Sequence, residues 1–292
     1  MNPAAGRGGI RASLPEIRDA FLARGQTTIV ETTAPGEEEA LARQAIREGA
    51  TTIVAVGGDG TCGRIANALL RANASCRLAV VPSGTGNDFA KTLGVAKYDA
   101  REIAALVERG SETRIDVGLA DGNYFINSCG FGFDASVLDA TSRVRLLKGD
   151  AVYIYAALRQ LFTYRGIEVA PRGAPGVTRG PMLMVTVSNG RYLGGAFKIA
   201  PRASVFDGRL DVCFFSDSNV LQRVGLFVGA MRGTHLGMPS VKSASVQELT
   251  LSFDSAPFME MDGELRLARS KTLDIRCVPQ ALSVIAAPGA LV

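Results

Sequence analysis

This chain has little histidine and no closely spaced cysteines: it has one histidine, His235, and five cysteines, Cys62, Cys76, Cys129, Cys213 and Cys277, scattered over 292 residues. The first shortage excludes a histidine-based triad and a histidine-ligated metal centre. The second excludes a zinc finger and a disulfide framework, and fits a reducing cytosol. His235 reads as a loop residue. Apolar stretches are broken by Gly, Arg or Asp well short of the roughly 20 residues of a membrane span, and the N-terminus has no apolar signal core. Excess charge is also missing, since 32 basic and 28 acidic residues leave a formal +4. Without a dense Lys/Arg run or a stacking-aromatic pattern, nucleic acid is not indicated. A small anion or a weakly anionic surface suits this balance better.

What is present is a globular composition, 47% apolar, long enough for one large or two ordinary domains. The first ~115 residues alternate strand and helix, with β-branched runs at Thr27 to Val30, Thr51 to Val56 and Leu78 to Val81. Between them, Ala42, Ala45, Ile46 and Gly49, then Ile65, Ala68, Leu69 and Ala72, recur at helical spacing, so both helices are expected on a parallel sheet. Beyond Thr113 the pattern turns to short strands and turn signals: Arg114 to Leu119, Asp121-Gly122, Tyr124 to Cys129. Helices are expected at Ala151 to Phe162 and Val220 to Met231, and a surface loop at Pro171 to Pro181. The domains are therefore placed at 1–118 and 119–292, with the last residues allowed to return to the first.

Two loops carry chemistry. Gly57, Gly58, Asp59, Gly60 and Thr61 join a strand to a helix, which sets backbone N–H groups and a helix N-terminus around an anion-sized space. Glycine permits positive φ and keeps no Cβ between backbone and phosphate. Asp59 can orient Mg2+ or its waters, while a plain strand–helix turn is the bland alternative. The second loop, Pro82 to Asp88, has the same build, with Gly84, a hydroxyl at Thr85, and Asn87 or Asp88 as helix cap. Ligands of open α/β sheets sit at strand carboxyl ends, so both loops should face one crevice. Neither loop is a Walker A motif or a dinucleotide fingerprint. Residue chemistry stops at a phosphate-binding α/β domain.

NPAAG at Asn2 to Gly6, GGDGT, PSGTGNDFA at Pro82 to Ala90, PRASVFDGRLDV at Pro201 to Val212 and MDGE at Met261 to Glu264 resemble, in that order, the diacylglycerol kinase catalytic family. That family includes bacterial soluble lipid kinases and the sphingosine and ceramide kinases. The resemblance implies a phosphofructokinase-like α/β domain on a C-terminal β-sandwich, with the nucleotide in the cleft between. It implies ATP and Mg2+ as cofactors and a lipid hydroxyl, most readily that of diacylglycerol, as acceptor. ATP contacts fall on Asn2, Pro3, Gly6, Gly57 to Thr61, Gly84, Thr85 and Asn87, and on Thr32, beside which Thr33 also stands. Asp262 matches the family's general base. Asp207 matches a carboxylate that holds a structural Mg2+, completed by backbone carbonyls near Ser204 and Arg209. From the residues alone, Asp262 and Asp207 read as turn residues, because Asp-Gly is the strongest hairpin signal and recurs at Asp59 and Asp121.

The chain departs from the family twice. Gly63 and Arg64 stand where members usually carry Asn-Glu, which sets a guanidinium beside the nucleotide. The chain also opens on Asn2-Pro3 without the strand that precedes this motif in relatives, so a start placed too late or a shortened chain is expected. The alternatives are an NAD kinase-like enzyme, against which PSGTGNDFA and MDGE argue, and a weakly active, nucleotide-gated lipid-binding protein. A lipid acceptor implies peripheral contact with the inner membrane face. Ser142 to Arg165, with Arg143, Arg145, Lys148, Arg159 and Arg165 among aromatics, is the candidate surface, against an amphipathic helix packed on the sandwich. A homodimer stays open. Cys62 adjoins the first loop, and GFGFD at Gly130 to Asp134 reads either as a cleft element or as an interior bend.

Overall fold

The computed structural model describes all residues but 26–27, 111, 144–154, 156–158 and 291–292, and no side chain of 7 or 141–143. The chain forms two compact units, Met1–Ile115 with Gln280–Val292, and Asp116–Pro279.

Unit 1 begins with a 3-10 segment, Ala5–Ser13, that runs into α1 (Leu14–Leu22). Next come α2 (Glu37–Arg47), β1 (Thr52–Gly57), α3 (Asp59–Arg71), β2 (Arg77–Pro82), α4 (Asp88–Thr92) and α5 (Ala100–Arg109). β1 and β2 pair in parallel from Thr52 opposite Arg77 to Gly57 opposite Pro82, so they end level with one another and both loops start there. Sequence patterning explains α5 fully: Asp99 and Glu102 form a reciprocal capping box, Ile103 and Leu106 are buried, and Gly110 closes the helix at φ +70°. The last strand, β13 (Thr272–Val284), brings Val284 opposite Leu78 of β2.

Two expectations change in this unit. α3 packs on β1 and β2, but α2 packs chiefly on α3, because Glu38 and Ala42 are the only residues it buries. Residues 28–30 form no strand. Met1 lies beside them: its ammonium donates to the Val30 carbonyl, and its carbonyl accepts from the Thr32 amide.

Unit 2 is antiparallel. It contains most of β3 (Thr113–Ala120), then β4 (Asn123–Phe125), β5 (Ser128–Gly132), α6 (Phe133–Arg143), β6 (Ile167–Arg172), β7 (Gly180–Ser188) and β8 (Leu210–Ser216). After these come α7 (Val220–Arg232), β9 (Val241–Val246), β10 (Glu248–Phe253), β11 (Phe258–Met261) and β12 (Glu264–Leu267). β7 carries β8 on one edge and β5 and β6 on the other. β9 extends β8, β11 and β12 extend β5, and β10 extends β6. The strands enclose a core of alternating apolar residues, among them Phe131, Val185, Phe214, Leu251 and Phe253, as a β-sandwich does. On the outer face of β7 and β8, α6 and α7 add a second apolar layer around Phe133, Phe197, Phe215 and Leu226.

Two further expectations change here, and a third falls largely outside the described residues. Tyr124 to Cys129 is two strands, β4 and β5, because the amides between them turn to a carboxylate rather than to a neighbouring strand. His235 is fully buried, its Nε2 2.9 Å from the Ile199 carbonyl and its ring stacked on Phe215, and burial lowers its pKa. Of Ala151 to Phe162, only 155 and 159–162 are described, all helical, and most of the basic segment Ser142 to Arg165 lies outside the described residues.

Candidate active site

Three segments of unit 1 converge where β1 and β2 end. The Asn2 amide donates to the Val56 carbonyl at 2.9 Å, and the Ser83 amide to Gly57 at 3.0 Å. Gly58 and Gly84 touch backbone to backbone: a Cβ on Gly84 would lie 2.4 Å from the Gly58 Cα. Gly6, at φ +56°, brings the Asn-Pro turn so close that a Cβ there would lie 2.9 Å from the Ser83 carbonyl oxygen. Glycine at these positions is thus a packing requirement as well as a conformational one. The second loop is shaped by Asn87, which adopts φ +52°, accepts from the Gly84 amide at 2.8 Å and donates to the Gly84 carbonyl at 3.0 Å. Asp59 reaches across to accept from the Phe89 amide at 2.9 Å, locking the two loops together.

No side chain caps α3, whose first turn is Asp59, Gly60 and Thr61 behind Gly58. A helix start built this way is an anion site. Thr85 is exposed on the second loop and Pro3 half-buried beside Asn2. Thr32 is tied by its amide to Met1, next to Asn2, whereas Thr33 gives its amide and hydroxyl to Glu37.

Sequence reading missed Glu38. Its carboxylate is buried, accepts from Asn2 Nδ2 at 3.0 Å and from the Gly36 amide at 3.1 Å, and pairs with Arg64 at 2.9 Å. Asn2 Nδ2 also reaches the Thr61 hydroxyl at 3.0 Å. Arg64, the departure beside GGDGT, is therefore neutralised from α2. The signal that could have found Glu38 is Arg64 itself, since a half-buried guanidinium needs a carboxylate.

In unit 2, Asp262 and Gly263 make the β11–β12 hairpin turn at φ +48° and +85°. The turn reading and the functional one meet here, because the Asp262 side chain is also buried and organised. Oδ1 accepts from the Asn127 and Ser128 amides at 2.9 and 3.1 Å, and Oδ2 from the Ile126 amide at 2.8 Å. Burial pushes its pKa up to about 6 against the pull of those three amides, with Glu264 adding to the rise. A carboxylate with that pKa is ionised, and still basic, at neutral pH.

Asp134, at the start of α6, is the second organised carboxyl. Burial pushes it up to about 7, and its Oδ2 has no hydrogen-bond partner among the described residues. It fits because residue 130 is glycine, where a Cβ would lie 1.4 Å from that oxygen. GFGFD is thus the end of β5 and the start of α6, and its first glycine leaves room for a carboxyl. Asp134 lines an apolar cavity of about 490 Å3, open mouth included, with Leu161, Phe197, Phe227 and Leu226 among its walls.

The Asp207 loop is held by Asp116, whose carboxylate accepts from the Gly208 amide at 2.7 Å. Asp207 accepts from the Arg209 amide at 3.0 Å, the Ser204 hydroxyl accepts from the Phe206 amide at 3.4 Å, and the Arg209 guanidinium turns to Ser245. Asp211 is pushed up to about 6, by burial first and then by Asp207, against the pull of Arg202 and Arg209. Among the described residues no group of three His, Cys, Asp or Glu side chains is placed to hold a metal. One carboxylate with backbone carbonyls suits a largely hydrated Mg2+ rather than a closed cage.

The fold and these residues define a class: a kinase with a phosphate-binding α/β unit and a β-sandwich. Residues 1–120 match the diacylglycerol kinase catalytic domain, and residues 127–286 match the YegS C-terminal NAD kinase beta sandwich-like domain. The chain belongs to the diacylglycerol kinase and YegS-like lipid kinase family. It is 28% identical to the diacylglycerol kinase of Bacillus subtilis (strain 168), covering 90% of this chain and 88% of that one. It is 30% identical to a "Probable lipid kinase YegS-like" protein of Pseudomonas putida over 70% of this chain and 68% of that one. Among solved structures, a diacylglycerol kinase from Bacillus anthracis str. Sterne superposes with a TM-score of 0.75 at 23% identity, covering 100% of this chain and 96% of that one. An NAD kinase from Archaeoglobus fulgidus in complex with ATP superposes at 0.54 with 13% identity over 97% and 92%, which is a likeness of fold alone.

Proposed function

We propose that the protein transfers the γ-phosphoryl group of ATP to the hydroxyl of diacylglycerol, giving phosphatidic acid. The observation that carries the reading is the convergence of Asn2, Gly58 and Gly84 at an uncapped helix start. Phosphoryl transfer needs positioning and charge neutralisation more than covalent chemistry, and such a cradle supplies positioning. Gly58 to Thr61 and Gly84 would hold the phosphates, and Asn2, anchored on Glu38, would close the site from the third segment. Mg2+ bound with the phosphates neutralises their charge, and Asp59 is the carboxylate on these loops that would orient it or its waters. Asp207 with the Ser204 and Arg209 carbonyls would hold a structural Mg2+ elsewhere.

Asp262 accepts the hydroxyl proton. Three of its four lone-pair positions are taken by amides, which fix the carboxylate and leave one on Oδ2 for the substrate. The apolar cavity of unit 2 supports a lipid acceptor, since Leu161, Leu183, Phe197, Leu226 and Phe227 wall it and polar groups are few, as in sites for apolar ligands. Asp134 offers it a carboxyl that can engage a polar group at the head of an alkyl chain. The test is ATP consumption over a panel of diacylglycerol, monoacylglycerol, sphingosine, ceramide and NAD. Turnover stimulated by diacylglycerol above the others is expected; no lipid-dependent turnover sinks the reading, and full activity of Asp262→Ala sinks the assigned base.

A further inference from the structure

α7 is apolar on nearly every side. Its inner face is accounted for, because Leu226 and Ala230 are buried in the second apolar layer and Phe227 packs edge-on against Phe197 with ring centroids 5.0 Å apart. Its outer face is not: Val220, Val224, Val228 and Met231 follow one another at helical spacing and are 37–41% exposed, with Leu221 beside them at 82%. A helix apolar all round is normally covered all round.

The stripe continues onto the neighbouring segment. Arg223 donates to the carbonyls of Leu161 at 3.0 Å and Tyr164 at 2.9 Å, which fixes the helical residues 159–163 alongside α7. Phe162 on that segment is 65% exposed. Exposed charge on the two segments is of one sign: Arg232 closes α7, and Arg159 and Arg165 flank Phe162. The acid beside them, Asp217, is already paired with Arg223 at 2.6 Å.

We propose that the outer face of α7, with Phe162, is the surface by which this protein docks on an anionic phospholipid bilayer. Apolar side chains rimmed by arginine match the acyl–headgroup boundary, where a helix lying in the plane of the interface buries its apolar face. A second copy of the chain fits less well, because a two-fold contact through this face would set the same three arginines against one another. The helix spans about 20 Å at 1.5 Å per residue, enough for a stable footprint. The docking surface rests on the lipid-kinase reading and deepens it: the helix that meets the bilayer also walls the apolar cavity through Leu226 and Phe227.

Flotation of the whole chain with vesicles tests this without ATP or acceptor lipid. The probes are phosphatidylcholine vesicles and phosphatidylcholine–phosphatidylglycerol vesicles, and the variant is Leu221→Glu with Val228→Glu, two residues outside the cavity wall. Wild type is expected to float with the anionic vesicles and the variant to lose at least about tenfold in vesicle affinity at an unchanged melting temperature. Wild type that does not float overturns the proposal, as does a variant that floats equally well. So does a variant whose light-scattering mass falls from dimer to monomer without a change in vesicle binding, which assigns the face to a second copy. Turnover of a short-chain, dissolved diacylglycerol separates the two readings. The variant should match wild type there, and absent turnover with intact flotation removes the kinase reading while leaving the surface.

Discussion

Glu38 shows how a single buried charge can hold three chain segments in register. It gathers Asn2, the Gly36 amide and Arg64, and through Asn2 it fixes Thr61. Arg64→Ala leaves a buried carboxylate without its cation, which should cost about 1–3 kcal/mol of stability in urea unfolding. Glu38→Gln keeps the volume but removes the charge, and several-fold weaker ATP binding is expected in calorimetry as Asn2 and Arg64 lose their common partner. If the pair acts as a unit, the Glu38→Gln/Arg64→Ala double variant loses less than the sum of the singles. Asp262 makes a prediction of opposite signs. As a base it must be ionised, so turnover should rise with pH through about 6 and then level. Its folded pKa is above the ordinary 3.8, so its contribution to stability is fully present below that value and is lost as pH rises through about 6. Activity and stability should therefore trend oppositely between pH 5 and 7, and Asp262→Asn should remove that part of the stability slope. Glu38 was hidden in the sequence because it stands in a run of three glutamates, Glu37 to Glu39, that reads as a helix's first turn. Only the fold shows which of the three is buried.

At the scale of elements, β1 and β2 and both loops were legible because β-branched runs stop at glycine and resume as helical periodicity. The parallel register then requires the loops to meet. What the sequence concealed was the break between β4 and β5, since the carboxylate that makes it is Asp262, 136 residues away from Ile126. A strand interrupted by a distant side chain leaves no local mark. The Gly58–Gly84 contact is the element-level feature most open to test. Gly84→Ala would place a methyl 2.4 Å from backbone that has no side chain to move aside, so the loops must separate. An affinity loss for ATP of about tenfold or more is expected, with little change in far-UV circular dichroism. Gly9→Ala is the control, because a Cβ there meets nothing within 4 Å.

At the scale of the molecule, the chain crosses from one unit to the other twice, near Ile115 and near Gln280. The second crossing returns the C-terminal residues to unit 1, where they pair with β2 and the residue that follows α4. Val284 pairs with Leu78, the Ile285 amide donates to the Leu78 carbonyl at 2.9 Å, and the Ala287 amide donates to Leu93 at 2.9 Å. The fit is close enough that a Cβ on Gly94 would lie 2.2 Å from Ala290. Val284 and Ile285 are almost fully buried, so removing residues 280–292 would expose an apolar edge of β2 and strip its ladder partner. The unit that carries the phosphate loops should then fail although none of its loop residues has changed. In a chain ending at Pro279, ATP binding is expected to vanish and the amides of β1 and β2 to lose protection from hydrogen exchange. The amides of β7 and β8, paired entirely within unit 2, should keep theirs. Equal loss of protection in both units would mean that the two fold as one cooperative block; retained ATP binding would mean that β2 needs no partner beyond β1.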